Sequence, residues 1–435
     1  MSHHVTFQDL PEGGEKFDPA RGSKLIGGFA MAGLIGLIGS AFFFFTRTDT
    51  FAYSWLFAVF VAFTVVVGAC FWILLHNASN SGWGISIRRL FENLANMILV
   101  VGLFALPLLV PAVQNPLWEW MAHHREAAHH AHDSGETVKE ALHHMAQEDS
   151  HLHILVEKFG YLNIGGWYVR FFLYFAILWF IASTLRKRSV MQDSDGNIKH
   201  TIWSRQFSCL LLFFFALTAT FASVDWLMTL DYSWFSTMWG VYIFAGCAWS
   251  SMAVMILLVT WLKSLGYLNK VVTDEHYHLM GKLLFAFTVF WAYIAFSQYF
   301  LIWYANITEE TRFYLTRNTE TWRWVSIFIL VGHFAGPFVI LLDQQRKKKT
   351  RWMVGMCLWI LFMHVVDIYW NIIPERGPSL THGEEWLIPY AWIQDVFALL
   401  AVIGGVGFVF LRGLGKFSLY PCRDPRLIES ANVVN

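Results

Sequence analysis

Ten long apolar runs divide this chain, and runs of that kind leave few folds open. They lie at about 25–45, 52–75, 93–113, 166–185, 203–224, 238–262, 282–305, 324–342, 352–373 and 388–412. About 20 such residues cross the hydrocarbon of a bilayer as a helix. Helix is the only plausible form there, because lipid tails offer no outside partner to a backbone N–H or C=O. The first run begins too far in, and is too long, for a signal peptide, and no clear small-residue cleavage site precedes the second. The expected fold is an all-α polytopic membrane protein with ten transmembrane helices. Composition excludes the main rivals. Only 14% of the 435 residues are charged, where a soluble domain carries about 25%. Forty Phe and 22 Trp exceed what one aqueous core would bury, and 31 basic residues balance 31 acidic ones. A soluble enzyme, a nucleic-acid binder and a disordered chain all fit poorly.

Lys and Arg set the expected orientation. Twenty-two of the 31 fall on the side that holds both termini, including Arg88, Arg89, Arg186, Lys187, Arg188 and the run Arg346, Lys347, Lys348, Lys349, Arg351. The positive-inside rule places that side in the cytoplasm. The chain then reads as a cytoplasmic segment (1–24), spans one to three (25–113), a His-rich periplasmic loop (114–165), spans four to ten (166–412) and a cytoplasmic tail (413–435). Tyr53, Trp55, Trp322, Trp324, Trp386 and Tyr390 sit where an interfacial aromatic belt belongs.

A weak internal echo suggests duplication. Tyr53-Ser54-Trp55 opens the second span and Tyr232-Ser233-Trp234 precedes the sixth. Val224-Asp225-Trp226 closes the fifth, and Val366-Asp367 with Tyr369-Trp370 closes the ninth. Spans two to five and six to nine would then be two parallel four-helix bundles, flanked by spans one and ten. Gly33, Gly36 and Gly39 in span one, and Gly404, Gly405 and Gly407 in span ten, permit close helix approach. That seam could serve this chain's own helices or another subunit.

The 114–165 loop holds His123, His124, His129, His130, His132, His143, His144, His151 and His153, half of the 18 histidines. Its Ala, Glu and His content predicts helical segments around Ser134-Gly135. No Cys accompanies these histidines, so a solvated, partner-facing insertion fits better than a closed zinc site. Exposed histidines there would gain charge as the outside acidifies.

Ionisable groups inside spans are costly and point to function. The outer half carries Asp225 at the end of span five, His364 and Asp367 three apart on one face of span nine, and Asp395 in span ten. His333 stands mid-span in the eighth, between Gly332 and Gly336-Pro337, where the proline should disturb the helix and free a carbonyl. The inner half carries His76, Glu92, Asp274 and His278, with Asn77, Asn93, Asn96, Glu275, His276 and Lys282 nearby. Between the sets, Thr288, Tyr293, Ser297, Gln298 and Tyr304 of span seven could carry hydrogen bonds. Two wet half-channels passing protons through water is the expected picture. The alternative is that these groups pair within the bundle and fix it. Five cysteines form no CxxC or CxxCH, which argues against iron–sulfur ligation and c-type haem attachment by this chain. Too few histidines lie well inside spans for a bis-His haem pair. No P-loop, GxSxG or HExxH supports ATP-driven or hydrolytic work.

Three stretches carry a family likeness: Trp303-Tyr304-Ala305-Asn306-Ile307-Thr308-Glu309-Glu310-Thr311, Ser223-Val224-Asp225-Trp226, and His76-Asn77-Ala78 followed by Gly82-Trp83 and Arg88-Arg89. With ten spans and the suspected pair of bundles, the chain resembles the NrfD-like membrane subunits of the polysulfide-reductase group over nearly its whole length. Within that group it is most similar to the second such subunit of bacterial alternative complex III, a quinol:cytochrome c oxidoreductase. The resemblance implies a multi-pass subunit of the bacterial inner membrane that holds no redox cofactor of its own. It implies partners: a multihaem c-type cytochrome, an iron–sulfur protein and a sister NrfD-like subunit, with membrane lipids and a terminal oxidase as further neighbours. Iron–sulfur clusters and c-type haems would reside in those partners, and quinol would be oxidised beside one of them. The role implied here is transmembrane proton transfer coupled to that oxidation. His333, His364, Asp367, Asp225 and Asp395 would line an outer path, and Glu92, His76, Asp274 and His278 an inner one. Three other readings stay open: a subunit that itself binds quinol, with His333 or His364 and Asp367 as general base, a stand-alone secondary transporter, and a scaffold.

Overall fold

The computed structural model describes residues 4–376 and 391–434. Trp386 and Tyr390, two of the belt aromatics, and the predicted start of the tenth span at 388 lie outside the described residues. Among the described residues there is no strand, only a single bridge between Lys16 and Ser418. Ten helices among the described residues are long and apolar enough to cross a membrane: Ser23–Thr46, Thr48–Ala78, Ile85–Leu109, Ile164–Asp195, Lys199–Leu230, Trp239–Ser264, Asp274–Ala305, Thr321–Leu342, Thr350–Arg376 and Ala391–Lys416. The chain is a multi-pass, all-helical membrane protein.

Local chemistry sets several span ends. The Asn163 side chain accepts the Gly166 N–H at 2.6 Å and starts the fourth span. Gly196 closes that span in the left-handed conformation, and Asn306 does the same for the seventh. The third span begins eight residues before its apolar run, at Ile85, and its helix is interrupted at Asn96-Met97. Arg88, Arg89 and Glu92 therefore ride on a buried helical turn. Sequence hydropathy misses that turn because charged residues lower its average.

The second and sixth spans form the centre, with 83% and 78% of their apolar windows buried against 22% for the first. They cross closely at Gly68, where any side chain would strike the Cys247 carbonyl and the Ser251 hydroxyl. The Trp72 indole N–H fixes the crossing by donating to the Ala248 carbonyl at 2.9 Å. Around this axis the second, third, fourth and fifth spans each pack on the next and close a ring. The sixth to ninth do the same. This pattern is compatible with two four-helix bundles. The Trp55 indole N–H donates to the Phe104 carbonyl within the third span, and Trp234 donates to the Glu310 carbonyl beyond the seventh.

The first and tenth spans pair with each other and lie on the second. Gly33 meets the backbone of Gly404 and Gly405, and Gly36 meets the backbone of Ala401. The glycine seam thus joins two helices of this chain, where van der Waals contact of backbones does the holding.

Both termini lie on one face and clasp each other. Asn432 exchanges two side-chain hydrogen bonds with the backbone of Val5, and Leu419 donates its N–H to the Glu15 carbonyl at 2.7 Å. The opposite face carries the long loop. It folds into helices Glu119–Ser134 and Val138–Glu148, with Gly135 left-handed between them. One side of the loop packs down: Trp118 donates to the Trp226 carbonyl, and Lys158 to the Tyr232 carbonyl at 2.7 Å. His124 is buried there, stacked on Phe159, while His129, His130 and His132 remain exposed.

Candidate functional site

The residues that most resemble working chemistry sit in the second ring. The eighth span is helical to Ile329, widens into a π-turn over Leu330–Ala335, and resumes at Gly336 with Pro337. Proline has no N–H to give to the preceding turn, so the hydrogen-bond ladder must be redrawn beside it. The redrawn turn aims His333 into the bundle and gives the Gly332 carbonyl to the Trp359 indole at 2.8 Å.

His333 is fully buried. Its ring lies between those of Trp249 and Trp291, with centroids 4.0 and 3.7 Å away. Neither ring nitrogen has a hydrogen-bond partner among the described residues. Each flanking indole is held from elsewhere. Trp249 donates to the Thr288 hydroxyl at 2.8 Å, which itself donates to the Leu284 carbonyl. Trp291 packs its other side near Tyr242, with 5.8 Å between centroids.

His364 of the ninth span is buried as well. Its Nε2 is 2.8 Å from the Thr64 hydroxyl of the second span. Thr64 already gives its proton to the Val61 carbonyl, so the hydroxyl accepts and His364 Nε2 carries the hydrogen. That assigns the lone pair to Nδ1, which has no partner. Gly246 of the sixth span makes room, since a side chain there would press on the imidazole. One turn on, Asp367 accepts the phenol of Tyr242 in a short hydrogen bond and faces the Asn371 amide at 3.4 Å. No arginine or lysine pairs with Asp367 among the described residues.

The other outer carboxylates differ sharply. Asp225 is gripped by Arg170 at 2.7 and 3.2 Å and by the Tyr174 hydroxyl at 2.7 Å. Asp395 pairs with Arg376 and accepts from Ser54 at 2.6 Å and Tyr369 at 3.0 Å. Both tie helices together through an ion pair. Of the outer five, the structure gathers His333, His364 and Asp367 and leaves Asp225 and Asp395 in separate clamps.

The inner set does not form one cluster. Glu92 takes Arg88 at 3.2 Å and Arg89 at 3.0 Å. Arg88 continues to Asp424 of the tail at 3.1 Å, and Arg89 to Asp193 at 2.8 Å. Beside this network, Asn77, Arg88, Glu92, Ser189, Gln192 and His200 line a cavity of about 10 Å³, roughly the room one water needs. His76 is buried edge-on to Trp83, 5.0 Å between centroids, and its Nε2 is unpartnered. Asp274 is exposed at the first turn of the seventh span, and His278 lies 3.7 Å from Glu275. No hydrogen bond joins His76 to Glu92 or Asp274 among the described residues. Of the five intervening groups in span seven, Thr288 and Gln298 point inward. Tyr293, Ser297 and Tyr304 face outward, with Tyr304 76% exposed.

Sequence reasoning missed Tyr242, Trp249, Trp291, Thr64 and Asn371 as neighbours of the histidines. Asn371 alone carried a signal, being four residues from Asp367 and so on its face. The others come from different spans, and periodicity along one helix says nothing about them. Arg317 was missed too. Though fully buried, it reaches the Trp370 and Asn371 carbonyls and Glu375 at 2.9–3.0 Å. Among the described residues no three His, Cys, Asp or Glu side chains gather as a metal site. No protein-family model and no curated protein matches the chain.

Proposed function

We propose that this chain is a membrane subunit of a bacterial respiratory quinol:cytochrome c oxidoreductase, and that it moves protons across the inner membrane while electrons pass through its partners. Both termini would face the cytoplasm, and the loop the periplasm, as the charge distribution favours. A multihaem cytochrome, an iron–sulfur protein and a sister membrane subunit would carry the cofactors and oxidise quinol. One observation carries the proton role: His333 and His364 each keep an unpartnered ring nitrogen deep in the bundle, near a carboxylate without a cationic mate. Buried ionisable groups that only fix packing are normally paired, as Asp225 and Asp395 are.

In this reading Asp367 receives a proton, the two imidazoles pass it on, and ordered water completes the route. Glu92 and its water-sized cavity supply the cytoplasmic side. Coupling requires the redox state next door to favour one of two arrangements of these groups. Tyr242 and Asn371, which both touch Asp367, are where such a bias would act. The test is the complex with His364→Leu and Asp367→Asn, reconstituted in vesicles. Quinol oxidation should persist while proton uptake and release per electron fall. If turnover and proton transport are both unchanged, the proposal fails.

A further inference from the structure

The turn between the fourth and fifth spans carries an acid and a histidine that the proton route described so far leaves out. Asp195 ends the fourth span, and its Oδ1 accepts the Asn197 N–H at 2.9 Å. Gly196 turns the chain in the left-handed conformation, and the Asn197 side chain accepts the Lys199 N–H at 3.0 Å. This turn sets the second carboxylate oxygen of Asp195 2.9 Å from His200 Nε2. The two side chains differ in access: Asp195 is 45% exposed and His200 only 9%. Both stand on the face of the termini, where the neighbouring Asp193 accepts the Cys422 N–H and the Ser194 carbonyl accepts Arg423 of the tail.

A clip between the two spans would need only Nε2 of His200. Gln192 supplies a second tie, donating to the Thr201 hydroxyl at 2.8 Å. Yet Nδ1, the other ring nitrogen, is buried without a partner among the described residues. That costs free energy unless water reaches it, and there is room for water beside the ring. His200 lines the cavity of about 10 Å³ inside the first ring of helices, together with Ser204 of its own span, Ser189 of the fourth, Asn77 of the second, and Arg88 and Glu92 of the third. Leu185 is the one apolar residue in that lining. A space of this size and polarity suits a single buried water, which needs two to four polar partners.

We propose, on the strength of the proton-transfer reading, that Asp195 and His200 form the proton inlet of this chain on the side of its termini, with a resident water in the cavity joining His200 Nδ1 to Glu92. Asp195 takes a proton from bulk water and gives it to Nε2. Nδ1 releases its hydrogen to the resident water, which gives one of its own to the Glu92 carboxylate. Only N–H and O–H bonds form and break, and a single proton has moved inward. The imidazole is left as the opposite tautomer, and rotation of the ring resets it.

The test uses the whole complex in vesicles, with pH dyes inside and outside, and a density map of the native complex fine enough to resolve water. The map should place a water within hydrogen-bond distance of both His200 and Glu92, and an empty cavity overturns the proposal whether or not any variant folds. His200→Gln can still donate to Asp195 but cannot relay. It should keep its thermal midpoint and its quinol oxidation and lose most proton uptake on the termini side. His200→Ala should lose uptake likewise, and added imidazole should restore it while leaving Asp367→Asn unchanged. Normal uptake in His200→Gln, when Asp367→Asn lowers it, removes the inlet and leaves the wider reading standing. A loss in His200→Ala that imidazole does not restore also overturns the proposal and makes His200 a clip. If the native complex moves no protons, the inlet and the wider reading fall together.

Discussion

Tyr242 of the sixth span gives its phenolic hydrogen to the Asp367 carboxylate of the ninth, and Asn371 reaches both groups from the following turn. This triangle binds the central span to the rim of the second bundle without using a positive charge. An acid held only by neutral donors can gain or lose a proton without breaking an ion pair. The consequence is a specific expectation for Tyr242→Phe. It removes the principal donor to Asp367 and should destabilise the protein by about 1–3 kcal/mol. Proton transport should fall more than quinol turnover does. Thermal unfolding in detergent and vesicle pH changes measure the two effects separately.

His333→Phe separates chemistry from packing at the neighbouring position. The ring already lies between two indoles and forms no hydrogen bond to lose. A phenyl ring of similar shape should fit, with a stability change under about 1.5 kcal/mol. Proton transport should nevertheless drop. If unfolding and transport are both unaffected, His333 is a spacer.

Arg170→Met tests the opposite kind of site. It strips Asp225 of its ion pair and leaves a buried carboxylate with Tyr174. The expected cost is about 3 kcal/mol, at the low end for a broken buried pair because Arg170 is 18% exposed. Adding Asp225→Leu should recover part of that loss. Thermal midpoints of the single and double variants check it, and proton transport by the folded double variant should be normal.

Gly36→Val should drive the first and tenth spans apart, because the new side chain would meet the Ala401 backbone and the Phe397 carbonyl. Overpacking of this sort costs roughly 1–3 kcal/mol. Gly355→Val is the control, since nothing lies within 4 Å of a Cβ there. A lower midpoint for the first variant alone would confirm the seam.

The loop should weaken in acid. Burial brings His124 down from 6.5 to about 4, so between these values the unfolded loop binds a proton that the folded loop refuses. Stability is therefore present above about 6.5 and is lost as pH falls toward 4. His123 works in the other direction, its proton favoured by Glu119 and then disfavoured by burial. Its contribution is complete below 6.5 and fades as pH rises through its elevated value. Hydrogen-exchange protection across Glu119–Ser134, with the intrinsic exchange rate at each pH divided out, should fall from pH 6.5 to 4, and His124→Phe should flatten that dependence.

The ten spans were legible because each long apolar run has one low-energy answer in lipid. The third was misplaced at its start, where Arg88, Arg89 and Glu92 cancel one another inside the protein. Hydropathy treats each charge as alone and pushes it out. The histidines and Asp367 were legible through their cost of burial and, for His364 and Asp367, their spacing on one helix. Whether an acid is clamped was not legible: Asp225 and Asp367 stand near the loop-side ends of the fifth and ninth spans, yet one meets Arg170 and the other Tyr242. Those partners lie 55 and 125 residues away. Only the folded arrangement of helices decides who meets whom.

The clasp between the two ends has a bearing on how the molecule is made. Asp424 supplies a counter-charge to Arg88, and Ser430 bonds both Ser86 and the Trp83 carbonyl. A growing chain reaches those residues only after the ten spans before them have been synthesised. Until translation delivers them, Arg88 lacks part of its final neutralisation, and the stretch after the tenth span becomes the bolt that locks the third helix home.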